Sequence, residues 1–440
     1  MKVSTTDLET ITSGKVSTRL IPFLSVLYIA AFIDRVSVGF AAAQMTRDLG
    51  FSAYVFGLGA GIFFVGYCIF EVPSNLILHK VGGRRWIARI MITWALVAGA
   101  MAFMSSVSSF YWLRFFLGAA EAGFFPGILY YLTHWVPAAS RARLAGRFMT
   151  AIPISTALAG PLSSAILRLD GAYGLSGWQW LFLIETIPSL LLGFITLFYL
   201  PDTPADAKWL AKDEQQWLEN TLQRERLNKD GARGPGVLKA LLNPQVLILS
   251  LCYFGVELGL YGVILWIPQI FATMDLPPAS IGYVIAIPYT VAAVVMMWWS
   301  SHSDRNRERV RHLAIASLAG FCGLATSAFL SHSPVTSVFA ITLGAAGTLA
   351  VLPIFWTLPT ARLQGAAAAG AIALINALGN LGGFVGPLII GWIKASTGSF
   401  TWGLVALAAG VLSTGVIALL IGDCTPQPVH TDTLNSEAST

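Results

Sequence analysis

Long apolar runs recur along this chain at intervals too regular for one soluble core. Twelve of them are long enough to cross about 30 Å of hydrocarbon as helices. The pattern predicts helices near 20–43, 53–78, 85–106, 110–133, 143–167, 178–200, 245–272, 280–301, 311–331, 335–358, 367–393 and 401–422. One long polar stretch, 201–241, interrupts the series. Trp209, Leu210, Trp217, Leu218 and Leu222 stand among its charges, which predicts an amphipathic helix on the inner membrane face. The chain thus divides into a tail (1–19), a six-helix bundle (20–200), a central loop (201–241), a second six-helix bundle (242–422) and a short tail (423–440). No apolar region with a small-residue cleavage site follows the polar first 19 residues, so a cleaved signal peptide is not expected.

Composition agrees with that pattern. Of 440 residues, 55% are hydrophobic and 11% charged, against roughly 25% charged in soluble domains. The expected fold class is therefore an all-α integral membrane protein. Lys and Arg set its orientation. With both termini inside, the inner segments hold Lys2, Lys15 and Arg19; Lys80, Arg84, Arg85 and Arg89; Arg141, Arg143 and Arg147; seven between Lys208 and Lys239; Arg305, Arg307, Arg309 and Arg311; and Arg362. Only Arg47, Arg168 and Lys394 fall outside. Such asymmetry is the positive-inside rule. The net charge of +5 then reflects membrane orientation and does not argue for nucleic acid. Cys68, Cys252, Cys322 and Cys424 lack metal-type spacing, and the six histidines form no HxxxH pattern. Neither a metal nor a cofactor is expected.

The two bundles resemble each other at a shift of about 225 residues. Tyr28 maps to Tyr253 and Gly57 to Gly282. The loop His79–Arg85 maps onto Asp304–Arg309, with Arg84 over Arg309. Ala159–Leu162 (AGPL) maps to Val385–Leu388 (VGPL). Parallel repeats of this kind place a substrate site between the halves near the midplane. Arg84, Arg85, Asp304, Arg305 and Arg309 recur after the same helix of each half, which suggests an inner gate. The Gly-Pro pairs fit a hinge or a tolerated kink.

Several stretches carry a family resemblance: Phe32–Gly39 (FIDRVSVG), Gly66–Asn75 (GYCIFEVPSN), Arg114–Gly127 (RFFLGAAEAGFFPG), Trp178–Glu185 (WQWLFLIE) and Leu200–Pro204 (LPDTP). In these the chain resembles the major facilitator superfamily and, within it, the anion:cation symporter family, including bacterial tartrate transporters. The resemblance covers nearly the whole chain. It implies the major facilitator fold, two pseudo-symmetric six-helix bundles with a pocket between them, and places Tyr67, Trp356 and Asn376 at that pocket. The chain departs from the family at His79, where an acidic residue is usual, and at Phe32 and Ile152–Thr156, which offer little to a long polyol.

Charge inside the bilayer is costly, at least ~2.5 kcal/mol per group. Asp34, Arg35, Glu71, Arg114, Glu121, Glu185 and Glu257 all fall within predicted helices. Helix rise puts Asp34 and Arg35 roughly 21–23 Å from the inner end, and Glu121 about 16 Å deep from the outer end. Arg114 precedes Glu121 by two turns on one face. Two arginines and two carboxylates are therefore expected around one central space. Arg keeps its proton and its fork matches a carboxylate, so Arg35 and Arg114 are candidates to grip an anion. Asp34 and Glu121 can bind protons, and the resemblance implies that coupling role. Static salt bridges between helices are the alternative. Glu71 and Glu185 fit structural partners. Tyr261 and Asn380 are further pocket candidates, with Trp266 among the aromatic ones. Glu257 has Phe32 as its repeat mate and is a candidate for specificity or for a bond between helices.

The expected function is secondary active transport, proton-coupled uptake of a small organic anion such as tartrate, by a monomer whose partners are that carboxylate, protons or else sodium, and the lipid bilayer. An exporter or antiporter of the same fold is the rival. A membrane-bound enzyme would need a nucleophile and base or a metal site, and neither is found. A sensor would need long soluble appendages.

Overall fold

The structure, a computed structural model, describes residues 5–137, 148–230, 243–274, 276–330, 333–362 and 366–422. Lys2, Arg141, Arg143, Arg147, Arg233, Lys239, Cys424 and the 423–440 tail lie outside the described residues. In chain order the α-helices are α1 (Thr5–Leu49), α2 (Ala53–Val81), α3 (Gly83–Ala100), α4 (Val107–Glu121), α5 (Phe124–Leu132), α6 (Ala151–Ile166), α7 (Gly177–Tyr199), α8 (Lys212–Asp230), α9 (Pro244–Ala272), α10 (Pro278–Asn306), α11 (Arg309–Phe329), α12 (Pro334–Phe355), α13 (Thr357–Arg362), α14 (Ala366–Thr397) and α15 (Thr401–Ile421). Counting α4 with α5 and α12 with α13 as single spans, twelve are long and apolar enough to cross a membrane. Phe198 and Leu420 point outward, 88% and 82% exposed, which hydrocarbon tolerates and water would not.

Three elements differ from the sequence reading. α1 begins at Thr5 instead of near residue 20, since nothing in the polar segment breaks a helix and Lys15 pairs with Glu214 at 2.6 Å. The fourth span is broken directly after Glu121. Gly123 there has a φ of +82°, and Ser74 stands where a Cβ would go. Finally, α8 does not lay its apolar face on lipid. Leu210, Leu218 and Leu222 are buried in protein, Trp209 stacks on Trp135 with ring centroids 5.9 Å apart, and the Arg19 guanidinium lies over Trp209.

The internal repeat is visible in the helices themselves. α2 and α10 are each 29 residues long and begin 225 residues apart, at Ala53 and Pro278. Each packs across onto the other half, α2 against α14 and α10 against α6, while α1 meets α9. Small residues set these crossings. A Cβ on Gly57 would lie 2.5 Å from the Pro387 carbonyl oxygen, and one on Gly39 would lie 2.8 Å from that of Leu265. Gly160 and Gly282 approach so closely that a Cβ on either would collide with the other's carbonyl, and the Gly282 amide donates to Ser164 at 3.1 Å. The Gly-Pro pairs of the repeat, Gly160-Pro161 and Gly386-Pro387, therefore sit at contacts between or within the bundles where backbones touch. These glycine crossings between the halves gather toward the end of the bundle where α1 finishes. At the opposite end, among the described residues, the loops after α2 and α10 form ion pairs that do not join the two bundles. Arg84 holds Asp202 at 3.0 Å, and Arg309 lies 3.8 Å from Asp304.

Candidate functional site

A cavity opens between the halves and is lined from both. α1 contributes Tyr28 and Arg35, α2 contributes Phe64 and Tyr67, and Phe125 and Ile152 close the same wall. Opposite them, α9 presents Tyr253, Glu257 and Tyr261 one helical turn apart, with Leu260 beside the last, and α14 presents Asn376 and Asn380, also one turn apart. The polar groups thus lie on helical stripes within a mostly aromatic and aliphatic lining, which is how ligand pockets orient a small molecule.

Arg35 is the centre of the first wall. It is 7% exposed, and its guanidinium donates to the Glu121 carboxylate and, at 2.7 Å, to the Tyr261 hydroxyl across the cavity. Its Nε–H is buried with no protein partner. Phe63 and Tyr67 stack faces toward it at 5.3 and 5.5 Å. An arginine caged in this way has a fixed direction and one nitrogen with no partner. Glu121 owes its place to the helix break: it is the last residue of α4, where the turn at Gly123 ends the span.

The four charges expected around one space do not all meet there. The Asp34 carboxylate turns away from the cavity, accepting from Trp94 Nε1 at 2.8 Å and from the Ser189 hydroxyl at 2.5 Å. Adjacent residues on a helix point about 100° apart, so Arg35 and Asp34 serve different neighbours. Arg114 is also a correction. It shares a face with Glu121 but spends its donors on the Gly59 and Ala60 carbonyls of α2, at 3.3 and 2.9 Å, beneath the Phe63 ring. It braces α4 against α2 and does not line the cavity. Trp356 stands behind Tyr253, edge to face at 5.0 Å, and likewise is not part of the lining. Trp266 binds the Pro387 carbonyl at 3.1 Å, which makes it a packing residue.

Glu71 and Glu185, read from the sequence as fitting structural partners, have neutral ones. Glu185 accepts from Ser37 and Ser163. Glu71 accepts from the Asn376 side-chain amide of the other half, so this carboxylate both supports a lining residue and ties the bundles together. Of the gate candidates, Arg84, Arg309 and Asp304 form the within-half pairs described above, and Arg85 and Arg305 are exposed. His79 lies tilted against the Tyr130 ring and shares a hydrogen bond with its hydroxyl at 2.9 Å. Sequence reasoning missed Tyr28 and Tyr253 as lining residues. The signal was present, since they are repeat mates that prove to face one cavity.

Comparison with known proteins identifies the architecture. The model of the Major Facilitator Superfamily matches residues 24–387. The chain belongs to that superfamily. It is therefore a multi-pass membrane transporter and not an enzyme. Over 437 residues it is 49% identical to a protein of Agrobacterium vitis named "Putative tartrate transporter", covering 98% of this chain and 96% of that one. It is 42% identical over 430 residues to the "Quinolone resistance transporter" of Acinetobacter baumannii, covering 98% of this chain and 99% of that protein. Among solved structures, the xylose transporter XylE from E. coli in an inward open conformation superposes with a TM-score of 0.73 at 16% identity, over 94% of this chain and 97% of that one. At that identity the likeness concerns the fold alone.

Proposed function

We propose that this transporter carries out proton-coupled uptake of a small organic anion, tartrate or a related carboxylate, by alternating access. The observation that carries the reading is Arg35, a buried guanidinium on the cavity wall that shares itself between the Glu121 carboxylate and the Tyr261 hydroxyl. Glu121 and an anionic substrate compete for one cation. Protonating Glu121 frees the guanidinium, so proton and substrate each favour the binding of the other. Asp34, in its hydroxyl and indole pocket, is the second proton candidate. Tyr67, Tyr261 and Asn376 complete the substrate contacts, with Asn380 and Glu257 adjusting selectivity.

The bundles at 20–200 and 242–422 rock about the cavity as a monomer, with the 201–241 segment between them. Both termini face the cytoplasm of a cell whose inner membrane holds the protein, an orientation supported by the distribution of Lys and Arg. The glycine crossings then seal the outer side. Arg84, Arg85, Asp304, Arg305 and Arg309 line the inner edges that close in the opposite state.

The test is uptake into proteoliposomes of tartrate, galactonate, glucuronate, phthalate and hydroxyphenylacetate, with pH and sodium gradients imposed separately. Accumulation driven by the pH gradient alone is expected. Accumulation driven only by sodium would replace the coupling ion. Movement outward against the gradient would support the second reading, an exporter, which the relative named for quinolone resistance favours.

A further inference from the structure

Glu257 has no counterpart in the other half and no part in the coupling scheme above. It lies in α9, between Tyr253 and Tyr261 on the stripe that faces the cavity, and is 3% exposed. Among the described residues no Lys, Arg or His forms an ion pair with it. Arg35 lines the same cavity, but its guanidinium donates to Glu121 and Tyr261. The Tyr253 phenol, one turn earlier, is the hydrogen-bonding neighbour of Glu257. The cavity therefore carries one guanidinium already balanced by a carboxylate, and facing it a second carboxylate that nothing balances.

A buried carboxylate with a phenol beside it but no cation is costly, and a ligand that brings a further donor recovers part of that cost on binding. We propose that Glu257 is the second anchor of the substrate site, and that the preferred substrate carries a single carboxylate for Arg35 and, at its other end, a hydrogen-bond donor, hydroxyl or ammonium, for Glu257. This rests on the organic-anion reading and narrows it, setting a hydroxylated monocarboxylate in place of tartrate, a dicarboxylate, as the preferred substrate. A dicarboxylate would set its second carboxylate against Glu257 and be penalised. A site built to receive a donor rejects the analogue that lacks it far more strongly than a merely apolar pocket can. Asn376 and Asn380 on α14 supply neutral donors and acceptors beside Glu257, and they suit hydroxyls along the middle of such a chain.

Two probes isolate the effect. L-Threonate and L-tartrate share four carbons and the configuration at both central hydroxyls. They differ only at the far carbon, a hydroxymethyl group in one and a carboxylate in the other. Binding of each to the purified full-length transporter is measured by displacement of labelled threonate and by ligand-induced thermal shift, at one mildly alkaline pH. The wild type is expected to favour threonate by about tenfold or more. Glu257→Gln, which keeps shape and hydrogen-bonding capacity but no charge, and Glu257→Met, which keeps only shape, are expected to bring the two probes within about threefold, chiefly by improving tartrate binding. A wild type that prefers tartrate would overturn the proposal. So would variants that melt at lower temperature yet keep the wild-type ratio, because Glu257 would then be a structural tie. Failure of both probes to bind a cooperatively folding wild type would instead remove the organic-anion reading and this inference with it.

Discussion

The two halves share a helix plan and differ in what they bury. The first six spans enclose Asp34, Arg35, Glu71, Arg114, Glu121 and Glu185, while the second six enclose Glu257 alone among Asp, Glu, Arg and Lys of the described residues. In the first half each buried charge has partners there or across the cavity: an ion pair, an indole and hydroxyls, backbone carbonyls, an amide. The second half offers tyrosines, asparagines and one unbalanced carboxylate. Gene duplication alone would make the halves alike. On the function proposed above, the first bundle would carry the proton groups and the anion-gripping Arg35, and the second would add the neutral side chains and the carboxylate that sort one anion from another.

That division can be broken most severely at Arg35. Arg35→Lys keeps the charge and loses the fork that reaches Glu121 and Tyr261 together. Substrate affinity should fall by about a hundredfold or more in a correctly inserted protein, as read by ligand-induced thermal shift. Retained affinity within twofold of wild type would move the anion site elsewhere. Glu121→Gln separates the two functions of the first half. It mimics the protonated acid and cannot release a proton. Exchange of labelled for unlabelled anion should persist, while accumulation driven by a pH gradient should vanish. If accumulation survives, coupling belongs to Asp34; if exchange is lost as well, Glu121 is a structural or substrate-binding group.

A third substitution probes where the halves meet. Gly282→Val puts side-chain atoms where the Gly160 carbonyl lies, so the seal between α6 and α10 cannot form as it stands. Transport should drop by roughly tenfold with little loss of expression, since the contact lies between bundles and not in either core. Unchanged transport would mean that this crossing is loose in the working cycle. The smallest effects compare equivalent loops. Asp202 receives both the Arg84 side chain and its backbone amide, and both groups are about one-third exposed. Asp304 sits 3.8 Å from Arg309 and is 66% exposed. Asp202→Asn should lower stability by ~1 kcal/mol and Asp304→Asn by less than ~0.5 kcal/mol in denaturant or thermal unfolding. Equal losses would erase the difference between the loops.

Much of this was legible in the sequence because hydrocarbon demands long apolar runs and forbids unpaired backbone. The twelve spans and the 225-residue repeat follow from that constraint. Arg35 was legible for a related reason, as an arginine at mid-depth must be satisfied by something specific. What one chain's spacing could not convey was which neighbour each charge would meet. Helical periodicity put Arg114 on the face of Glu121, but the carbonyls of Gly59 and Ala60 became its partners because small residues in α2 let α4 approach closely. Asp34 was read as a cavity group, and the indole of Trp94 and the hydroxyl of Ser189, distant in sequence, claimed it. The break at Ala122–Gly123 was hidden because a glycine inside an apolar run reads as tolerated helix.

The backbone contact of Gly160 with Gly282 also implies something about the medium in which the protein works. A closure made of interlocked main chain contains no charges for dissolved ions to screen. The exposed pairs at the opposite end lie in water, where a Debye length of about 10 Å at 0.1 M salt already weakens them. Changes in ionic strength should therefore leave the glycine-lined crossing between the bundles as it is, while at the other end salt slackens only the hold of each arginine loop on its own neighbour.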